Sequence, residues 1–175
     1  KLVLYQAIMK INFNDAASLK DNGFTGFKRV SFLMNNITAI PDQPGVYLVV
    51  FDRSEMPVFC KKGTGGFFKG KDPNVSHGEL KANWVGKTKV IYIGKAGGGT
   101  SSATLRKRLN QYLKFGNGQP AGHYGGRLIW QIENPGNLII CWKPLTSGDP
   151  REYEKQLITE FRNFYKMRPF ANLTD

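Results

Sequence analysis

Apolar residues recur along this chain with two different periods. Residues 45–52 (GVYLVVFD) are almost continuously β-branched or aromatic and follow Pro41 and Pro44, which predicts a buried strand. Residues 89–94 (KVIYIG) predict a second strand of the same kind. Residues 127–133 and 138–143 predict two more, joined by Asn134-Pro135-Gly136-Asn137, which reads as a hairpin turn. Between them, 103–115 has helical spacing, with Leu105, Leu109, Tyr112 and Leu113 on one stripe and cap-forming residues just before. Asp149 or Pro150 starts a long helix that runs to about Lys166. Residues 2–13 are apolar-rich but of ambiguous type, and 27–36 predicts a short helix with Val30, Leu33 and Met34 on one side. Strands, helix, strands, helix predict a small α+β domain around an antiparallel or mixed sheet. Residues 1–43 read as an N-terminal extension and about 61–89 as a glycine-rich, loop-like insertion.

Helical geometry picks out polar residues in unusual places. With about 100° per residue, Tyr153, Leu157, Ile158, Phe161, Phe164 and Tyr165 cover one broad face of the last helix. Glu154 falls inside that face, Glu152 points away and Glu160 sits at the margin. A carboxylate on an apolar stripe is costly unless it is paired or binds a cation; a buried ion pair would satisfy it as well as a metal would. In the 103–115 helix, Arg106 and Arg108 flank the apolar stripe and Lys107 points outward. Arg108 has Tyr112 as its i, i+4 neighbour and is the better candidate for a rigidly held arginine.

Charge changes the picture more than composition does. The 175 residues carry 25 Lys and Arg against 13 Asp and Glu, a net charge of +12. The 41% hydrophobic and 13% aromatic content supplies one domain's core and argues against wholesale disorder. No segment is long and apolar enough to span a bilayer, no signal segment opens the chain, and two distant cysteines make no disulfide framework. A cytoplasmic protein is expected, trimmed before Lys1. The 53 residues from Leu80 to Ile132 contain no acid, nine bases and several aromatics. Such a stretch predicts a phosphate-binding surface for nucleic acid. Lys87, Lys89, Arg106, Lys107, Lys114 and Arg127 are its candidate DNA contacts. A membrane partner is not expected, because the bases are spread over several elements rather than one amphipathic helix.

Other motifs are incomplete. Gly86-Lys87-Thr88 leads into a strand rather than a helix, and Gly65-x4-Gly70-Lys71 is followed by Asp72 where a P-loop needs Ser or Thr. Two Cys and two His at unrelated spacings do not make a zinc site. Asp72 and Glu79-Leu80-Lys81 are too close together for the strand pair of an Asp…Glu-x-Lys nuclease. His123 could contact phosphate or carry a proton, but among glycines it reads as a loop residue.

An arginine, a carboxylate and tyrosines beside strands are the parts of a metal-assisted phosphodiester cleavage site. The carboxylate binds the metal, the arginine spreads donors over developing charge, and a tyrosine orients or deprotonates water. For deprotonation its pKa near 10 must be lowered by positive neighbours.

Gly45-Val46-Tyr47 and Tyr92-Ile93-Gly94 resemble the paired signatures of the GIY-YIG endonuclease family. Lys95, the run Leu105-Arg106-Lys107-Arg108-Leu109, Tyr112, Glu154 and Pro169…Asn172 follow in an order similar to the family's. The resemblance spans 45–172 and implies that 44–175 is a GIY-YIG-like nuclease domain. It implies a mostly antiparallel sheet of about three strands flanked by helices, and hydrolysis of double-stranded DNA with a single Mg2+ or Mn2+.

By this resemblance Tyr47 and Tyr92 lie side by side and handle water, Arg108 contacts the scissile phosphate and Tyr112 stands near the water or leaving group. Glu154 is the sole protein ligand of the metal, Asn172 braces the site and Lys95 contacts phosphate. The 44 residues between Tyr47 and Tyr92 exceed the family's usual spacing and hold the insertion. With the N-terminal extension, this layout is most like that of the family's stand-alone restriction enzymes. The insertion and extension would then read sequence and support dimerisation; a palindromic target would call for a two-fold homodimer, and a methyltransferase would be the cognate enzyme. A repair or recombination nuclease and a catalytically silent DNA-binding module are the alternatives.

Overall fold

The computed structural model describes residues 10–174. The apolar run at 2–13 therefore lies outside the described residues up to position 9. Four strands, β1 (Thr25–Arg29), β2 (Gly45–Val50), β3 (Val90–Ala96) and β4 (Ile139–Pro144), form one sheet in the order β1-β4-β2-β3. Every neighbouring pair is antiparallel. The helices are α1 (Ala16–Asp21), α2 (Val30–Leu33), α3 (His77–Asn83), α4 (Leu105–Gly116) and α5 (Pro150–Tyr165). The protein is thus α+β, an open antiparallel sheet flanked by helices.

The central strand explains the architecture. All six residues of β2 are buried because β3 and β4 flank it and both faces are covered. Tyr47 and Val49 point into one core with Tyr92, Leu109, Tyr112 and Trp130. Val46, Leu48 and Val50 point into the other, with Phe13, Phe24, Leu157, Ile158 and Phe161. Thus α4 covers one face and α5 the other. Both helices start where capping chemistry says they should. The Thr104 hydroxyl accepts from Lys107 N at 3.3 Å, and the Asp149 carboxylate from Arg151 N at 2.9 Å.

Six sequence expectations need correction. The sheet has a fourth strand, β1, inside the segment read as an extension. The helix expected at 27–36 is the end of that strand followed by one helical turn. Phe27 takes φ +50 and Val30 N donates to Leu138 O at 2.8 Å, so the chain hugs the sheet edge before it can coil. The strand expected at 127–133 is part of a 310 segment, Tyr124–Gln131. Its carbonyls bond to the insertion rather than the sheet: Cys60 N donates to Gln131 O at 2.7 Å and Thr64 N to Trp130 O at 3.0 Å. Asn134-Pro135-Gly136-Asn137 is then a 310 turn leading into β4, not a hairpin. Finally, the insertion is not all loop, since it carries α3 with Ser76 as its cap. Phe164, expected on the buried face of α5, is 62% exposed. Cys60 and Cys141 are free thiols, and no helix among the described residues is long and apolar enough to cross a membrane.

Candidate active site

Tyr47 and Gly94 are cross-strand partners in β2 and β3. A carbon added at Gly94 would lie 2.6 Å from the Tyr47 hydroxyl oxygen and closer still to its ring. Glycine there lets the Tyr47 ring cross the second strand. Tyr92, two residues before Gly94, projects to the same face because side chains alternate. Its ring centroid is 6.0 Å from that of Tyr47. From α4, the Tyr112 ring approaches Tyr47 at 6.3 Å and Tyr92 at 5.6 Å.

Arg108 and Glu154 arrive from opposite layers. Arg108 precedes Tyr112 by one turn of α4, and its Nη1 donates to Gly122 O at 3.1 Å and more weakly to Gln111 Oε1 at 3.4 Å. Its Nε and Nη2 have no partner among the described residues. Glu154 comes from the second turn of α5. The glycine turn after β3 lets α5 come this close: a side chain at Gly98, which sits at φ +92, would come within 2.9 Å of Arg151 N. A cleft of ≈ 440 Å³ opens here, lined by Tyr47, Tyr92, Lys95, Arg108, Gln111 and Glu154.

Burial dominates the electrostatics. Tyr47 and Tyr112 are fully buried and their hydroxyl pKa values are raised well above the ordinary value. Tyr92, 8% exposed, is pushed up to about 12, first by burial and then by the Glu154 charge, with Arg108 and the Tyr47 hydroxyl acting in the opposite direction. Arg108 pulls each of the three tyrosines down, as a positive neighbour must, but burial outweighs it, so the lowering that deprotonation of water requires is not met. All three tyrosines are neutral phenols at pH 7 in this state, suited to orienting water rather than to removing its proton. Glu154 is raised by burial against the pull of Lys95, Arg108 and Arg151. It forms no ion pair or hydrogen bond among the described residues. A half-buried carboxylate without a partner, facing a cleft, fits a divalent cation that keeps most of its own waters. No cluster of three or more His, Cys, Asp or Glu exists among the described residues.

Asn172 stands behind the cleft. Its Nδ2 donates to Ile93 O at 2.8 Å and its Oδ1 accepts from Ile93 N at 2.9 Å. Because β3 is the sheet's outer strand, these two bonds serve as a one-residue continuation of the ladder. Lys95 Nζ rests on Gly97 O at 3.2 Å, at the rim.

The residue that sequence reasoning passed over is His123. It is buried to 1% exposure, stacks on Tyr112 at 3.9 Å, and its Nε2 lies 2.8 Å from the Tyr47 hydroxyl. Burial, and secondarily Arg108, holds its pKa well below the ordinary value, so the ring is neutral. The Tyr47 hydroxyl and Nε2 share a hydrogen bond whose direction follows the ring tautomer, and Nδ1 has no hydrogen-bond partner among the described residues. Tyr112 donates to Gly126 O at 3.0 Å and so does not compete.

The six candidate DNA contacts are not gathered equally. Arg106 is committed to the backbone, donating to Ile40 O at 2.8 Å and Thr38 O at 3.3 Å. Lys89 pairs with Asp52 at 2.6 Å. Lys87 lies near the far end of α5 from Glu154, where its carbonyl accepts from the Tyr165 hydroxyl at 3.1 Å. Lys107 and Lys114 are exposed on α4, and Arg127 stacks on Tyr124 at 4.1 Å. None of the six lines the cleft. No family model, curated protein or solved structure matches this chain.

Proposed function

We propose that this protein is a metal-dependent endonuclease that hydrolyses phosphodiester bonds in double-stranded DNA, of the restriction type within the GIY-YIG pattern. The observation that carries this reading is the meeting of Arg108 and Glu154, from helices on opposite faces of the sheet, in one cleft with Tyr92 and Lys95. A binding surface has no use for an unpaired carboxylate among bases, since it repels phosphate. A nuclease needs one to hold a cation.

The geometry supports these roles. Glu154 would hold Mg2+ or Mn2+, which would supply Lewis-acid polarisation of a phosphoryl oxygen. Arg108 is anchored through Nη1, and its free Nε and Nη2 present donors to the phosphate, where charge grows in the transition state. Lys95 adds positive charge at the rim. Tyr92 is the more accessible of the two signature tyrosines and orients the attacking water through a neutral hydroxyl. Tyr47 stands behind it, hydrogen-bonded to His123. Asn172 keeps β3, and with it Tyr92, in place.

Incubation of plasmid DNA with the protein and Mg2+ tests the reading. Discrete fragments are expected from a restriction enzyme, a smear indicates nonspecific cutting, and binding without cutting leaves the DNA-binding module. Glu154→Gln should abolish cleavage and leave DNA binding largely intact.

A further inference from the structure

The insertion between β2 and β3 is a built protrusion rather than slack chain. Its foot is clamped to the core, where Thr64 N donates to Trp130 O at 3.0 Å and Gly66 N to Phe115 O at 2.8 Å, and is closed on itself by Gly63 N donating to Asn74 Oδ1 at 2.7 Å. Beyond the clamp the chain turns back on itself. Phe68 and Lys71 form an antiparallel bridge, with Lys71 N donating to Phe68 O at 3.1 Å. Lys69 and Gly70 both take positive φ, +51 and +72, the conformation of a tight type I′ hairpin.

The surface of this hairpin is chemically one-sided. Lys61, Lys62, Lys69 and Lys71 are all exposed. The one acid in the segment, Asp72, is turned back to accept from Asn74 N at 2.8 Å and Asn74 Nδ2 at 2.7 Å. Phe67 is 55% exposed, although its neighbour Phe68 packs against the core. An aromatic ring left in water beside lysines has no folding role.

The hairpin is also coupled to the cleft. A carbon added at Gly122 would touch the Phe68 ring at 3.6 Å, and Gly122 O is the acceptor that anchors Arg108. Tyr124, in the same loop, donates to Asp72 O at 3.0 Å and carries Arg127 on its ring. Two contacts thus separate the hairpin from the arginine that faces the scissile phosphate.

We infer that the hairpin 67–71 is a probe for the groove of duplex DNA, with Lys69 and Lys71 on phosphates and Phe67 against the base stack. It would set the register of the duplex relative to Arg108; its place beside a cleavage site rests on the endonuclease reading. Phenylalanine is among the side chains that wedge against base steps, and paired lysines supply the charge that holds the backbone nearby.

Binding of a short fluorescent duplex across a salt series, with the full chain carrying Glu154→Gln to prevent cutting, tests this. Removing two phosphate contacts in K69A/K71A should flatten the slope of log K against log salt by about 1.8. K155A/K166A, exposed on α5 and at its C-terminal cap, should keep the parent slope. F67A should keep the slope and lose affinity by roughly tenfold. Because these side chains are exposed, circular dichroism should be unchanged in every variant. A parent slope in K69A/K71A, or parent affinity in F67A, overturns the inference. Plasmid cleavage by the wild-type chain separates the two readings. If it cuts and the hairpin variants bind normally, only the hairpin assignment fails. If it does not cut but the variants lose binding, the endonuclease reading fails and the hairpin stands.

Discussion

The hydroxyl of Tyr47 lies 2.8 Å from Nε2 of His123, deep in the core and 76 residues away along the chain. Burial keeps the imidazole neutral, so the ring tautomer sets which of the two groups donates across this bond. His123→Phe keeps an aromatic ring against Tyr112 but leaves the buried Tyr47 hydroxyl without this hydrogen-bond partner, at a cost of about 1–3 kcal/mol. Cleavage should fall on the order of 10²-fold through kcat, with KM little changed. His123→Gln, which restores a hydrogen-bond partner, should recover part of the loss.

The same histidine makes stability depend on pH. Its folded pKa is depressed, so below the ordinary value of 6.5 the unfolded chain binds a proton that the folded chain refuses. Stability contributed by the neutral ring is present above pH 6.5 and is lost as pH falls toward the depressed value. Thermal melts should show Tm declining on acidification through this window. In His123→Phe the decline should be shallower; an identical slope would remove His123 as its source.

Glu154 has the opposite linkage. A carboxylate whose pKa is raised by burial binds protons more readily folded than unfolded, so its ionisation costs stability as pH rises above 4.5. Glu154→Gln should therefore melt higher than wild type at neutral pH while losing cleavage. Mg2+ should raise the wild-type Tm, with stabilisation of about 2.7 kcal/mol when free metal reaches 100 times Kd. It should leave the Tm of the variant unmoved. An equal shift in both would place the cation elsewhere.

Which parts of this site were legible in the sequence follows from where each residue's partners lie. Tyr47, Tyr92, Arg108 and Glu154 sit on regular elements whose period assigns a face, and α4 and α5 begin at readable caps. Residues 127–133 are apolar without a decisive period. Their partners are the insertion's backbone, so their conformation depends on a segment far away in sequence. His123 is in a glycine-bordered loop, where no period acts, and only the folded chain brings it to Tyr47. Strand β1 was obscured by apolar spacing at Phe27, Val30, Leu33 and Met34 that also suits a helix; its pairing with β4 decides the matter.

Gly94 links the signature tripeptide to the packing of Tyr47. Any Cβ there enters the tyrosine ring, and the backbone of a paired strand cannot retreat. Gly94→Ala should cost about 1–3 kcal/mol through overpacking. Because the displaced ring also leaves His123, cleavage should fall together with Tm. A folded variant of undiminished Tm and full activity would show that the ring has room to move.

Asn172 tests whether bracing at the sheet edge is separable from chemistry. Its side chain closes two hydrogen bonds with one residue, Ile93, beside Tyr92. Asn172→Ala leaves the Ile93 N–H and C=O unpaired at a buried edge and should destabilise by about 1–3 kcal/mol in denaturant melts. Asn172→Asp keeps the acceptor for Ile93 N but faces Ile93 O with a second acceptor, so it should be at least as harmful at neutral pH. Protonation supplies the missing donor and should restore part of its stability on acidification. Since Asn172 does not line the cleft, both variants should lose cleavage only as far as Tyr92 is loosened, and activity measured well below Tm should recover most of its value. Complete loss of cleavage in a fully folded Asn172→Ala protein would move this asparagine from a brace to a participant in the reaction.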